Sequence, residues 1–431
     1  MKHPLRYLLT ASMMVVLLAQ AGRGEEIRPA ELVAEAVRSI DQIENPEDQA
    51  RLLGRAAVVQ GKLGNRPAAT ELIRQAVERS EPMEDPYRRV NLLVTLAGDQ
   101  AKSGDAPGAR RTLQQALLAA ENHHRALSVV AKALAERGDR AAAEKAFERA
   151  VQAVDPVEPV KKLVSIAKDQ QAAKDEQGTE ATLKKAYEVL TGERNVRSRI
   201  SGLREIGFVR AGSDPHGGMK LLQLALIESD SIKEKELRIG ERIDILLAMA
   251  EVQGRSDRGS AATILRAALS EGDALPKGEI KNRKLSALSI AQAKLGDLKA
   301  AFETKKRIED HWGQNETLLP TVDAQLEAGD LPGALKSALS IDAKDFLRRD
   351  MALGRVAAKQ AQSGDLDGAL KSVEQIQYEP AKSTALAAVL EEQTKRGEAQ
   401  TALKTATARN APVERALGLI AIASGLLEKG P

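Results

Sequence analysis

Histidine is the side chain best suited to acid-base and metal chemistry near neutral pH, and this chain of 431 residues has five: His3, His123, His124, His216 and His311. His3 belongs to a segment that processing would remove. His123 and His124 are neighbours at the expected start of a helix, where adjacent side chains point in different directions and cannot share one metal face. They read as a solvated junction between helices. His216 sits in Gly212-Ser213-Asp214-Pro215-His216-Gly217-Gly218, a turn-forming run. A phosphate-cradling loop would need a strand before it and a Lys-Ser or Lys-Thr ending, and neither is there. The chain has no cysteine, which removes disulfides, thiolate metal sites and cysteine nucleophiles. Its 61 acidic residues fall on nearly every expected helix face and single out no catalytic pair. The aromatic platforms that sugar cleavage usually needs are scarce, at 2 % of residues. No nucleophile elbow, zinc-binding helix or calcium loop occurs. Asn315-Glu316-Thr317 fits a glycosylation acceptor, which matters only in a eukaryotic secretory pathway. The residues therefore imply no enzyme, no cofactor and no metal.

Any site must be positioned by the elements that this alphabet can build. Ala, Leu, Glu, Lys, Arg and Gln dominate, and they favour helix. At 43 % apolar and 29 % charged residues the chain folds. Residues 1–21 read as a separate, cleaved secretory signal: Lys2 and Arg6, an apolar run from Tyr7 to Leu18, then Ala19-Gln20-Ala21 as a small-x-small site. The run is short of the roughly 20 residues that a membrane span requires, so no stable span is expected after cleavage. The localisation read from this is exported, periplasmic or secreted. Removal of Lys2 and Arg6 lowers 64 basic residues to 62 against 61 acidic ones. Near-neutral charge, alternating signs and a single tryptophan, Trp312, argue against nucleic acid as a partner.

Self-similarity organises residues 22–431. Gly-Asp or Gly-Asn pairs begin at Gly64, Gly104, Gly138, Gly296, Gly329 and Gly364, with Gly397-Glu398 as a variant. Five residues after these glycines stand Ala69, Ala109, Ala143, Ala301, Ala334, Ala369 and Ala402. Four residues before them stand Gln60, Gln100, Gln292, Gln325, Gln360 and Gln393. Apolar residues at intervals of three and four flank each glycine, as at Ile73, Ala76 and Val77, so each unit reads as two amphipathic helices. Glycine ends the first by taking the left-handed conformation, and Asp or Asn caps the second. The small alanine lets the pair approach closely. Asn45-Pro46, Asp85-Pro86, Asp155-Pro156 and Glu379-Pro380 start new units. The expected fold is all-α: an α-solenoid of about ten helix-turn-helix repeats, with a helix at about 29–43 before it and one at about 412–429 after it. Around Lys174 the register persists with lysine in place of glycine and Thr179 in place of alanine. Beyond it, about residues 190–275, the pattern is irregular, with weak turns near Gly212 and Ser256.

The unit resembles the tetratricopeptide repeat in its Gly-Asp turn, the alanine five residues on, the small residue seven before (Ala57, Ala97, Ala131) and the second alanine at Ala76, Ala116 and Ala150. The large aromatics of that repeat are missing, and glutamine stands where tyrosine is common. The resemblance implies a right-handed superhelix whose first helices line a concave, partner-binding surface. Val94, Lys102 and Gln362 are then groove positions, and the family's Lys-Asn clamp for a peptide carboxylate has no match there.

The recurring glutamine reads chiefly as packing, an amide tied to the next repeat; a ladder of amides offered to a bound peptide is the functional alternative. Array, export signal and empty motif search together point to a non-enzymatic interaction scaffold or adaptor whose partner is a protein or peptide. The alternative is an all-helical hydrolase or lyase with a carboxylate in the irregular middle segment.

Overall fold

The computed structural model describes residues 27–428. The expected signal, residues 1–21, lies outside the described residues, as does Lys429. Among the described residues all regular structure is helical, and helices adjacent in sequence pack as pairs. None of these helices is long and apolar enough to cross a membrane.

The chain forms two compact units. Unit 1 opens with α1 (Pro29–Ile40) and the pairs α2/α3 (Pro46–Lys62, Arg66–Glu78) and α4/α5 (Pro86–Lys102, Ala106–Ala119). Unit 2, from Asn122 to Asp342, holds α6/α7 (His124–Glu136, Arg140–Gln152), α8/α9 (Pro159–Ala172, Glu176–Thr191) and α10/α11 (Val196–Arg210, Pro215–Ser229). It continues with α12/α13 (Lys235–Gly254, Arg258–Asp273), α14/α15 (Glu279–Lys294, Leu298–Lys306), the short α16 (His311–Glu316) and α17/α18 (Leu318–Glu327, Leu331–Leu339). The chain then returns to unit 1 as α19/α20 (Phe346–Ser363, Leu366–Glu374), α21/α22 (Glu379–Lys395, Ala399–Thr407) and α23 (Pro412–Glu428).

The turn inside a regular pair follows from its residues. Gly64, Gly104, Gly138, Gly296, Gly329, Gly364 and Gly397 all have φ between +77° and +97°, which only glycine adopts without a steric cost. This bend lets the next backbone N–H reach back five residues, as Asp105 N–H does to the Gln100 carbonyl at 3.0 Å and Asp365 N–H to that of Gln360 at 2.9 Å. Two of the carbonyls stranded at the end of the first helix are thereby bonded. The Asp side chain then caps the second helix: Asp105 accepts from Gly108 N–H at 2.8 Å and Asp365 from Gly368 N–H at 2.9 Å. Alanines five residues past each glycine are buried against the first helix.

The middle pairs close differently. Asp214 N–H bonds the Arg210 carbonyl and Asp257 N–H that of Gln253, each four residues back at 2.8 Å. These turns are one residue tighter and use no left-handed residue, so the glycine signal disappears although the pairs persist. At Lys174 the long turn is kept, and the lysine itself takes φ +60°.

The helices at the two ends of the described chain complete one another. α23 packs on α21 and α2 as a first helix does, while α1 packs along α23 in the place of its second helix. Leu32, Val33, Ala36 and Ile40 of α1 and Leu419, Ile422 and Ala423 of α23 are fully buried, each Leu, Ile or Val adding about 1.5–3 kcal/mol. Glu428 at the end of α23 bridges Lys62 of α2 at 3.1 Å and Lys395 of α21 at 2.7 Å. Sequence reading placed these two helices as separate ends; the fold makes them one pair.

Candidate binding surfaces

The recurring glutamines are not available to a bound peptide. Gln60, Gln100, Gln170, Gln292, Gln325, Gln360 and Gln393 are all buried. Nor do the resolved amide contacts reach the next repeat, as the spacing suggested: they fold onto the residue's own turn. Nε2 of Gln360 donates to Asp365 at 3.4 Å and that of Gln393 to Glu398 at 3.1 Å. In two repeats the amide oxygen also accepts from the hydroxyl twelve residues on, Thr112 to Gln100 at 2.6 Å and Ser372 to Gln360 at 2.7 Å. The amide oxygens of Gln170, Gln292, Gln325 and Gln393, with Thr182, Thr304, Ser337 and Thr405 at the same spacing, are instead buried and unbonded. Gln60, opposite Leu72, has its amide oxygen buried and unbonded. At Gln100 and Gln360 the glutamine is a brace across the hairpin; a Ser or Thr eight residues past the turn residue does not by itself signal it, since Gln170, Gln292, Gln325 and Gln393 share that spacing without the bond.

Sequence reading also missed a second brace. Asn282 accepts from Glu309 N–H at 3.1 Å, Asn315 from Asp342 N–H at 2.8 Å, and Asp350 from Gln377 and Tyr378 N–H at 3.0 and 2.6 Å. Each polar side chain ties down the loop that begins the next repeat. Each stands fourteen residues before its glycine, the one pattern from which it could have been read.

The three expected groove residues lie in unit 1 and are not brought together. Val94 is half-buried on α4. Lys102, exposed at the end of α4, has its ammonium 3.9 Å from Asp99. Asp99 is itself buried between α2 and α4, close against Gly54. Burial pushes its carboxyl above the ordinary range, with Lys102 and Arg55 pulling the other way. Gln362 is exposed on α19, its carbonyl accepting from Arg396 at 2.7 Å. Helices α21, α23 and α2 follow one another between α19 and α4. The histidines are equally dispersed. His123 caps α6, its Nδ1 accepting from Ala126 N–H at 3.2 Å, and stacks on His124 with ring centroids 5.5 Å apart. Burial, then the charges of His123 and Lys162, holds His124 below its ordinary value. His311 meets Asp342 at 3.0 Å.

Among the open grooves of unit 2, two are lined by charges of both signs on successive helices. The larger, about 950 Å³, runs over α8, α10 and the loops before them. Lys161, Arg194 and Arg197 line it together with Glu158, Glu193, Glu205 and Glu241, with Val160, Val189 and Gly202 between. Glu158, at its rim, has φ +48°. From this groove a seam of charge crosses three successive first helices. Arg197 of α10 lies 3.4 Å from Glu241 of α12, Arg204 3.7 Å from Glu241 and 3.3 Å from Asp244, and Asp244 2.6 Å from Lys284 of α14. Lys284 is buried, and its stem passes over Gly240, where any Cβ would stand 3.3 Å from its Cε. A lysine in the buried stripe was the one sequence sign of this seam.

The second groove, about 640 Å³, separates the second helices α7 and α9. Ala143, Phe147 and Val151 of α7 and Ala181 and Thr182 of α9 line its base. Arg140, Glu144 and Glu148 stand on one wall, and Lys174, Asp175, Glu176 and Lys185 on the other, so both walls carry both signs.

No family model matches the chain, and no curated protein matches it in sequence. Among solved structures it is similar to Ton1535 from Thermococcus onnurineus NA1, at 17 % identity over 76 % of this chain and 98 % of that one, with a TM-score of 0.33. It is also similar to a circular tandem repeat protein with novel repeat topology, at 14 % identity over 98 % and 95 %, with a TM-score of 0.19. Neither likeness bears on what this chain does.

Proposed function

We propose that the protein is a non-enzymatic interaction scaffold working outside the cytoplasm, built from tetratricopeptide-like hairpins and presenting grooves between them to a protein partner. The observation that carries this reading is the open groove over α8 and α10. It is long, carries both signs of charge and has small or aliphatic residues between the charges, which suits a polypeptide carrying both kinds of side chain. The buried braces support the same reading, since they fix the hairpins while leaving these grooves open.

Crosslinking in the native compartment tests it, comparing the wild type with Ser198→Trp. Ser198 is exposed and lines the groove, so the indole fills it without entering the core. A crosslinked partner that is lost in the variant supports the scaffold. Recovery of the monomer alone, or a partner untouched by the indole, counts against this surface. The mature N-terminus tests the compartment: a chain beginning at Gly22 in the exported fraction is expected, and an unprocessed chain in the cytosol contradicts it.

A further inference from the structure

We propose that a third groove of unit 2, between α12 and α14, binds a free fatty acid, its carboxylate at one end and its alkyl chain along the floor. The inference goes beyond the scaffold reading and does not depend on it.

The groove, of about 490 Å³, has the size of a small-molecule site. Its walls run side by side in one direction: Asp244 of α12 meets Lys284 of α14 at 2.6 Å, and further along Gly254 lies against Leu295, whose Cδ1 would stand 3.3 Å from any Cβ there. This register sorts the lining by polarity. Leu247 and Ala250 of α12 and Ala287, Ile290 and Ala291 of α14 line the earlier part, with Leu265 of α13 beneath. Ala250 and Leu265 are buried. Towards the C-terminal ends of the two walls the lining turns charged, with Glu251 and Arg255 at the end of α12, Lys294 at the end of α14 and Arg258 at the start of α13. Arg258 reaches towards the turn after α14, where a Cβ on Gly296 would lie 3.9 Å from its Nη1. The Arg255 guanidinium sits 5.1 Å above the centre of the Phe208 ring.

The charges select the head group. Three cations and one carboxylate line this groove, whereas the two grooves above each carry three cations against four carboxylates. Among the described residues, none of Glu251, Arg255, Arg258 and Lys294 is held in an ion pair. The adjoining carboxylates are engaged elsewhere. Asp257 accepts from Gly259 and Ser260 N–H at 2.9 and 3.1 Å, and Asp297 from Ala300 N–H at 3.0 Å, each against the positive end of a helix. An anionic head therefore meets an excess of cations able to bond it.

The walls select the tail. Both are helices whose backbone groups bond internally, so an extended peptide would strand its own N–H and C=O groups over the apolar floor. An alkyl chain has none to strand. From Leu247 to Arg255 the groove covers eight steps of about 1.5 Å, roughly 12 Å, the reach of a medium-length chain.

Isothermal titration of the full chain tests the proposal with decanoate, decanol and decyltrimethylammonium, each below its micelle concentration, and with a leucine-rich peptide ending in a free carboxylate. Decanoate should bind at least tenfold tighter than any of the other three. Arg258→Glu with Lys294→Glu, both at exposed sites, should weaken decanoate at least tenfold and leave decanol unchanged, with the helical spectrum intact. Equal affinity for decanoate and decanol, no binding of decanoate, or decanoate binding untouched by the charge reversal would overturn the site. Tighter binding of the peptide would assign the groove to a partner's chain end and overturn the fatty-acid reading. The Ser198→Trp crosslinking reads a different groove, so failure of either proposal leaves the other standing.

Discussion

Replacing Gln360 by leucine should destabilise unit 1, whereas the same change at Gln60 should not. The two glutamines hold equivalent places four residues before a turn glycine, in α19 and α2 of the same unit. Their surroundings differ in one atom that matters. Gln360 accepts from the buried Ser372 hydroxyl at 2.7 Å, and leucine would strand that hydroxyl at a cost of about 1–2 kcal/mol. Gln60 faces Leu72 with its amide oxygen buried and unbonded, so leucine removes an unsatisfied group and gains between zero and about 1 kcal/mol. In both, the turn hydrogen bond uses the backbone carbonyl and survives. Urea unfolding followed by far-ultraviolet dichroism reads both variants on the same unit. Adding Ser372→Ala to Gln360→Leu should restore most of the loss, because both partners are then gone. Equal effects at the two positions, or a double variant as weak as the single one, would refute the brace.

Gly104→Ala should cost about 1 kcal/mol, because its φ of +89° strains any Cβ although no atom lies within 4 Å. Lys174→Gly should gain about as much by relieving φ +60°; urea midpoints check both. Asp99→Asn should stabilise unit 1 at pH 7. Burial raises the folded carboxyl, so its stabilising contribution is full below the ordinary value of 3.8 and is lost as pH rises through the folded one. The gap between variant and wild type should therefore close as pH falls below 3.8, and a gap that widens there would contradict the assignment. Ile422→Ala, at a fully buried site on α23, should cost about 2–5 kcal/mol and speed amide exchange in α1 at the opposite end of the described chain.

Much of the hairpin was legible because its turn is local. Gly104, Asp105 and Ala109 lie within six residues, and each has one physical task, so their spacing reports the pair directly. The side-chain braces were harder. A glutamine locked to the turn shows which face it occupies, but not what its amide bonds: Thr112 and Ser372 bond their glutamines, while Thr182 and Ser337, at the same spacing, do not. The middle pairs lost their signal because a turn one residue tighter, as at Asp214 and Asp257, needs no glycine. The charge seam from Arg197 to Lys284 crosses about forty residues at each step from helix to helix and depends on the register between helices, which periodicity within one helix does not report. The pairing of α1 with α23 spans nearly the whole chain. Its one trace is Gly430, 33 residues after Gly397, which continues the repeat spacing and marks α23 as a first helix awaiting a second.

Zero-length carbodiimide crosslinking of the monomer tests that pairing most directly. Lys62 and Glu428 are 366 residues apart in sequence and 3.1 Å apart in the fold. Digestion should release a peptide joined through an amide between them, alongside the Lys395–Glu428 link. Recovery of Lys306 joined to Glu303, a pair within one helix, without any Lys62–Glu428 product from the monomer would contradict the closure of unit 1 by its two ends.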